Sequence, residues 1–255
     1  MTRAAPIILA LTLLAACSRA PELDRLAAGE SGRVAEVRSG DALALDSGLV
    51  VRLAGVEAPK GEQPYAAEAR AALVRLVDGR SVQLLYGGAR RDTYGRALAQ
   101  VRLTSGGQWL QRALLRAGAV RERTWPDNRA LAVQMQEDEA YARNRRLGLW
   151  KLDAYRALLP GETRAAEGFT LVEGRVRRID LGARSPALDF ADRPGNGFEA
   201  EIADQAAGDF KTAGKTPEQL RGRLVRIRGP IRYGPDGPLM RLDHPEQVEL
   251  LKEKD

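Results

Sequence analysis

At 255 residues, with 44% hydrophobic and 29% charged side chains, the chain is long enough for two hydrophobic cores and too balanced for a disordered or collagen-like protein. Its net charge of +6 is unevenly spread: residues 31–164 carry 22 Lys and Arg against 15 Asp and Glu (+7), and residues 165–255 carry 15 against 16 (−1). The basic stretch favours polyanionic partners, because each anion neutralised releases counterions.

The chain begins with Arg3 and an apolar run from Ile7 to Ala16 that is too short to span a bilayer, so residues 1–16 read as a signal sequence. The run ends in Leu14-Ala15-Ala16-Cys17, which resembles the lipobox of bacterial lipoproteins, where cleavage leaves a lipid-bearing cysteine. Lipid on Cys17 would hold the protein to a membrane by hydrophobic transfer of acyl methylenes. Ser18 stands where an Asp would signal retention at the inner membrane, so the expected place is the outer membrane of the cell envelope, facing the periplasm. Residues 17–30, with Pro21, Gly29 and little periodicity, read as a tether.

From Gly32, apolar and polar residues alternate through Val34, Val37, Leu43 and Leu45, turn at Asp46-Ser47-Gly48 and resume over Leu49 to Leu53, a three-strand meander. Pro64 opens a helix whose Ala69, Ala72, Leu73 and Leu76 form a stripe that needs a sheet to bury it, and Asp78-Gly79 ends it. Strands are predicted over Ser81 to Tyr86 and Ala97 to Leu103. A helix carrying Leu110, Ala113, Leu114 and Ala117 follows, then a last helix from about Asn128 to Arg146. The order predicts an α+β, mainly β unit over residues 31–155: an OB-type five-stranded barrel with helices. Past Leu159-Pro160-Gly161, strands over Leu171 to Ile179, Phe198 to Ile202, Leu224 to Ile231, Leu239 to Leu242 and Gln247 to Leu251 predict a second small OB-like β-rich domain over 165–255. A short helix near Thr216 to Leu220 and a turn over Gly234 to Gly237 interrupt these strands, and Phe169, Phe190, Phe198 and Phe210 are its expected core.

Three blocks carry a resemblance: Gly40-Asp41 between two strands, Val51-Arg52-Leu53-Ala54-Gly55-Val56-Glu57-Ala58-Pro59, and Asp92-Thr93-Tyr94-Gly95-Arg96-Ala97-Leu98-Ala99. In this order, with Gln63-Pro64-Tyr65 opening the helix between them, they resemble the thermonuclease, or staphylococcal-nuclease-like, family. The resemblance implies a Ca²⁺-dependent phosphodiesterase acting on DNA and RNA from the barrel surface. By position it implies Asp41 and Glu57 as metal ligands and Arg52 and Arg96 as a catalytic clamp on the phosphate. Glu57 replaces the family's Asp, which keeps the carboxylate and lengthens its reach. Lys60 replaces the glutamate taken to activate water, so the implied enzyme is slow, with Glu62 the nearby carboxylate to consider as a replacement.

By position in the resemblance, Trp125 is a candidate base-stacking aromatic and Tyr94 either contacts a base or packs in the core, and Lys60 is a candidate phosphate contact. Arg221, Arg223, Arg226, Arg228 and Arg232 crowd one strand region, which either tracks a nucleic-acid backbone or faces solvent within a segment neutral overall. His244, the only histidine, precedes Pro245 in an expected turn and has no second His or partner Cys with which to hold zinc. The sequence therefore supports a slow nuclease, or a degenerate module that binds nucleic acid or the envelope, acting as a monomer.

Overall fold

The computed structural model describes residues 22–181, 185–191, 197–234 and 237–252. The signal sequence, Cys17 and the centre of the turn between Gly234 and Gly237 lie outside the described residues.

Period-two patterning produces the strands where it is read. β1 (Ala27–Ser39), β2 (Ala42–Leu45) and β3 (Val50–Leu53) form the meander, β4 (Val56–Glu57) follows, and α1 (Ala66–Val77) leads to β5 (Ser81–Tyr86) and β6 (Ala97–Leu103). β1, β2, β3, β6 and β5 close into a barrel in that order, with β3 and β6 parallel. Closure leaves no free sheet edge and buries Leu43, Val51, Leu53, Val82, Leu84 and Val101 completely. α1 covers this core with Ala69, Leu73 and Val77. α2 (Leu110–Arg116) adds Leu110, Leu114 and Leu115, while Ala117 from the expected stripe is exposed.

Two boundaries differ from those read in the sequence. Residues 22–30 are part of the barrel rather than tether: Leu23 is buried, and Ala27 and Ala28 pair with Tyr86 and Leu85. Long-range pairing, which local periodicity does not report, orders this polar segment. β7 (Arg121–Glu122) pairs with β4, and α3 (Ala132–Asn144) starts four residues beyond the expected Asn128, after Leu131 in the left-handed region.

Glu30 ties the early part of β1 to β5. Tyr86 donates to its Oε2 at 2.6 Å and Arg91 to its Oε1 at 2.6 Å. These bonds, Tyr86's the larger, lower the Glu30 pKa from 4.5 to about 2. A lowered folded value means that the stabilisation is present above the unfolded value and is lost as pH falls from about 4.5 to about 2. NMR titration of the Glu30 carboxyl is expected to give a midpoint of about 2, moving up in Tyr86→Phe. A midpoint near 4.5 in the unaltered chain would show that the bond is absent.

The C-terminal part is a seven-stranded sheet with its own core. Its strands are β8 (Gly168–Arg175), β9 (Arg178–Asp180), β10 (Ala187–Asp189), β11 (Glu199–Ile202), β12 (Leu224–Gly234), β13 (Gly237–Leu242) and β14 (Val248–Leu250). The sheet runs β14-β12-β13-β11-β10-β9 with β8 on β12, and among the described residues this path does not close as the first one does. Two short helices, α4 (Ala207–Thr212) and α5 (Pro217–Leu220), cap it, and Phe190, Phe198 and Phe210 fill its core as expected. Phe169 does not join them. It lies half-buried against the barrel.

The two parts meet through a small apolar seam and a larger polar one. Leu171 packs with Ala142, Leu149, Trp150 and Tyr155. Beside it Arg228, 1% exposed, is ion-paired to Glu122 at 2.5 Å, to Glu139 at 3.0 Å and to Glu249. The arginine run of β12 is therefore not one basic stripe: Arg228 is internal, and Arg226 is held by Glu173 and Glu249 at 2.7 and 2.8 Å. His244 stands at the expected turn, where it opens a short 3-10 helix (Pro245–Gln247), and is buried, with Nε2 3.2 Å from the Thr124 carbonyl and Nδ1 3.2 Å from Glu246.

Candidate functional site

Glycine conformation and strand ends bring the three sequence blocks together. A Cβ on Gly40 would stand 2.8 Å from the Cβ atoms of both Ala58 and Ala69, so only glycine lets the β1–β2 turn press against β4 and α1. That approach sets the Asp41 carboxylate 2.9 Å from the Ala58 N–H, which donates to it. Pairing of β2 with β3 sets Ala42 opposite Arg52, and Arg52 donates to Leu53 O at 2.8 Å and contacts Asp41 Oδ2 at 3.1 Å. Burial is the largest influence on the Arg52 guanidinium and lowers its pKa, opposed by Asp41 and Glu57. An arginine nonetheless stays charged at any physiological pH.

The third block folds as a turn at Gly95, whose φ of 76° suits glycine. Asp92 accepts from the Tyr94 and Arg96 amides at 3.0 Å and from Arg96 Nε at 2.7 Å. Partial burial alone would raise the Asp92 carboxyl, but these bonds outweigh it and hold it below the usual range. Arg96 is thereby aimed, with its guanidinium carbon 5.4 Å from the Tyr94 ring centre.

These residues line a cleft of about 390 Å³ that holds Arg52, Glu57, Lys60, Tyr94, Arg96 and Trp125. Tyr94 is 83% and Trp125 37% exposed, so both rings present a face to solvent. Asp41 lies beneath, 1% exposed. Glu62 is exposed and lines neither this cleft nor its neighbour.

Three residues that sequence reasoning did not weigh change the chemistry. Arg123 lies 2.5 Å and Arg121 3.6 Å from the Glu57 carboxylate, delivered there by the pairing of β4 with β7. Asp127 lines the cleft rim and, among the described residues, makes no ion pair. The β4–β7 ribbon spans two residues on each strand, too short for any periodic signal, so the sequence offered no way to find this contact.

The donor set does not fit the calcium ion that the resemblance implies. Calcium takes about 6–8 oxygen ligands. Here Asp41 is held by Arg52, by the Ala58 amide and by Lys60 Nζ at 3.7 Å, and Glu57 is held by two arginines. Among the described residues no group of three or more His, Cys, Asp and Glu side chains is placed to hold a metal. The five cations Arg52, Lys60, Arg96, Arg121 and Arg123 outnumber the four carboxylates Asp41, Glu57, Asp92 and Asp127, so the region is suited to an anion.

Comparison with known proteins agrees with the architecture. Residues 50–152 match the family described as Staphylococcal nuclease homologue. The chain is 29% identical over 132 residues to the thermonuclease of Staphylococcus intermedius, covering 48% of this chain and 77% of that protein. It is 30% identical over 100 residues to a staphylococcal-like nuclease of Arabidopsis thaliana and 32% identical over 100 residues to a probable one of Oryza sativa subsp. japonica. Each alignment covers 39% of this chain, and the chain spans only 29% and 28% of those two plant proteins.

Proposed function

We propose that this chain, whose barrel is of the thermonuclease-like family, binds the phosphodiester backbone of nucleic acid in the Arg52–Arg96 cleft and hydrolyses it slowly. The observation that carries this reading is the surplus of fixed cations around a cleft edged by two exposed aromatic rings. Arg52 is held by its contacts to the strand ends and Arg96 by Asp92, so both are oriented before an anion arrives. Lys60, half-exposed, adds a movable charge, and Tyr94 and Trp125 offer faces on which bases stack.

Hydrolysis needs an acceptor for the proton of the attacking water. Asp41, Glu57 and Asp92 are each occupied by cations, and Lys60 is a cation itself. That leaves Asp127 as the carboxylate at the cleft which, among the described residues, makes no ion pair and can serve. Calcium-dependent turnover, which the family resemblance implies, would require Asp41 and Glu57 to exchange their cations for the metal. Membrane attachment through Cys17 is proposed from the Leu14-Ala15-Ala16-Cys17 motif alone.

The test is binding of a labelled single-stranded oligonucleotide by fluorescence anisotropy between about 50 and about 200 mM salt. Affinity is expected to fall steeply with salt, and Arg96→Ala and Lys60→Ala each to reduce the logarithmic slope by about one. Affinity unchanged over that range would reject the cleft as a phosphate site.

A further inference from the structure

A second cavity, of about 400 Å³, shares Glu57 and Lys60 with the cleft and is otherwise lined by residues of both parts of the molecule, among them Arg121, Arg123, Tyr155 and Phe169. Phe169 enters from β8, just after Gly168, whose φ of 69° turns the chain toward the barrel. Its carbonyl accepts from Arg121 Nη1 at 2.8 Å, and the guanidinium carbons of Arg121 and Arg123 each lie 4.9 Å from its ring centre. The ring is only half-buried, so part of it faces the cavity. Arg121 is itself 8% exposed, and its Nε has no hydrogen-bond partner among the described residues.

We propose that this cavity is a nucleotide subsite formed jointly by the barrel and the C-terminal sheet. In it Phe169 stacks the unpaired base next to the phosphate held in the cleft, while Lys60 and Arg123 face the connecting backbone. The inference rests on the cleft reading above and deepens it. Three cations against the two carboxylates Glu57 and Glu167, with two aromatic rings, in a space within the usual range for small ligands, match a nucleotide, which is an anion joined to a flat π face. Stacking on Phe169 needs an unpaired base, so the ligand is a single strand, and the strand crosses from one part of the molecule to the other. Such a subsite gives the C-terminal part a role at the site even though its own net charge is −1 over residues 165–255, 15 basic against 16 acidic.

The experiment measures hexathymidylate binding by the intact chain and by Phe169→Leu, Phe169→Trp and Arg52→Lys variants across salt concentrations. Phe169→Leu keeps an apolar side chain of similar bulk and removes the π face. It is expected to weaken the hexamer about tenfold, within the range of one base–aromatic stack, with the salt slope unchanged because no phosphate contact is lost. Phe169→Trp is expected to restore the affinity. A reduced salt slope in Phe169→Leu would overturn the proposal, since it would mean that the ring acts only by positioning Arg121 and Arg123. Unchanged hexamer affinity would overturn it too. If Arg52→Lys still weakens binding in that case, the cleft reading survives without the subsite. No hexamer binding by the unaltered chain would remove both.

Discussion

Arg228→Ala is expected to lower the free energy of unfolding by about 3–5 kcal/mol, the cost of removing one partner from a buried ion pair. The guanidinium is 1% exposed and bridges Glu122 of β7 and Glu139 of α3, both 0% exposed, to Glu249 of β14. Its loss leaves Glu122 buried with, among the described residues, only Thr124 and Gln136 as side-chain donors. Burial is the main influence on the Glu122 carboxyl and raises its pKa, so the uncompensated site would take up a proton or open to water. Urea unfolding followed by both tryptophan fluorescence and far-UV circular dichroism gives the measurement. The unaltered chain should show one coincident transition, and the variant an earlier one that separates by probe as the two parts uncouple. A shift below about 1 kcal/mol would show that the cluster does not hold the interface, because surface pairs reach only that range.

Cleavage of single-stranded DNA by this chain is expected to be at least about 10²-fold slower than by the thermonuclease of Staphylococcus intermedius in the same calcium buffer, the low end of what a lost general base costs. Lys60 alone does not account for this. The arginines on Glu57 and the Arg52 contact on Asp41 would remain after Lys60→Glu, so that substitution is expected to raise the rate by less than about tenfold, a small share of the general-base range. Asp127→Asn should reduce what cleavage there is, since Asp127 is the cleft carboxylate with no ion pair among the described residues. Single-turnover rates with equal enzyme concentrations decide the matter. A rate within tenfold of the comparison enzyme would show that calcium displaces the cations from Asp41 and Glu57, and that the cleft turns over as a full nuclease.

The blocks around Asp41, Arg52 and Arg96 were legible in the sequence through their resemblance to the thermonuclease family, and each is shaped locally, by a glycine turn, a short strand and an Asx-type turn, although the three residues lie 11 and 44 positions apart in the chain. Tyr94 and Trp125 were legible through the same resemblance, and their exposure is what the structure adds. The cations on Glu57 were not. Arg121 and Arg123 lie more than sixty residues away in the chain, and they reach Glu57 through a two-residue ribbon that no periodicity announces. Glu62, near Lys60 in sequence, lies outside the cleft, whereas the loop before α3 carries Asp127 to its rim.

By itself the sequence determined the barrel strands, the covering helix and the charge excess of the middle stretch, because period-two and helical patterning state which face of each element must leave water. Tertiary structure alone decided what those charges do. In a one-dimensional reading Glu57 is a metal ligand implied by the resemblance, and Arg228 either tracks a nucleic-acid backbone or faces solvent as most Arg side chains do. Pairing of β4 with β7 half-buries Glu57 at the cleft among arginines, and packing of the two parts buries Arg228 at their interface among carboxylates. It likewise moves Phe169 from the expected core to the boundary between the two parts. The physical reason is common to all three: charge balance and burial are set by which segments distant in the chain pack together.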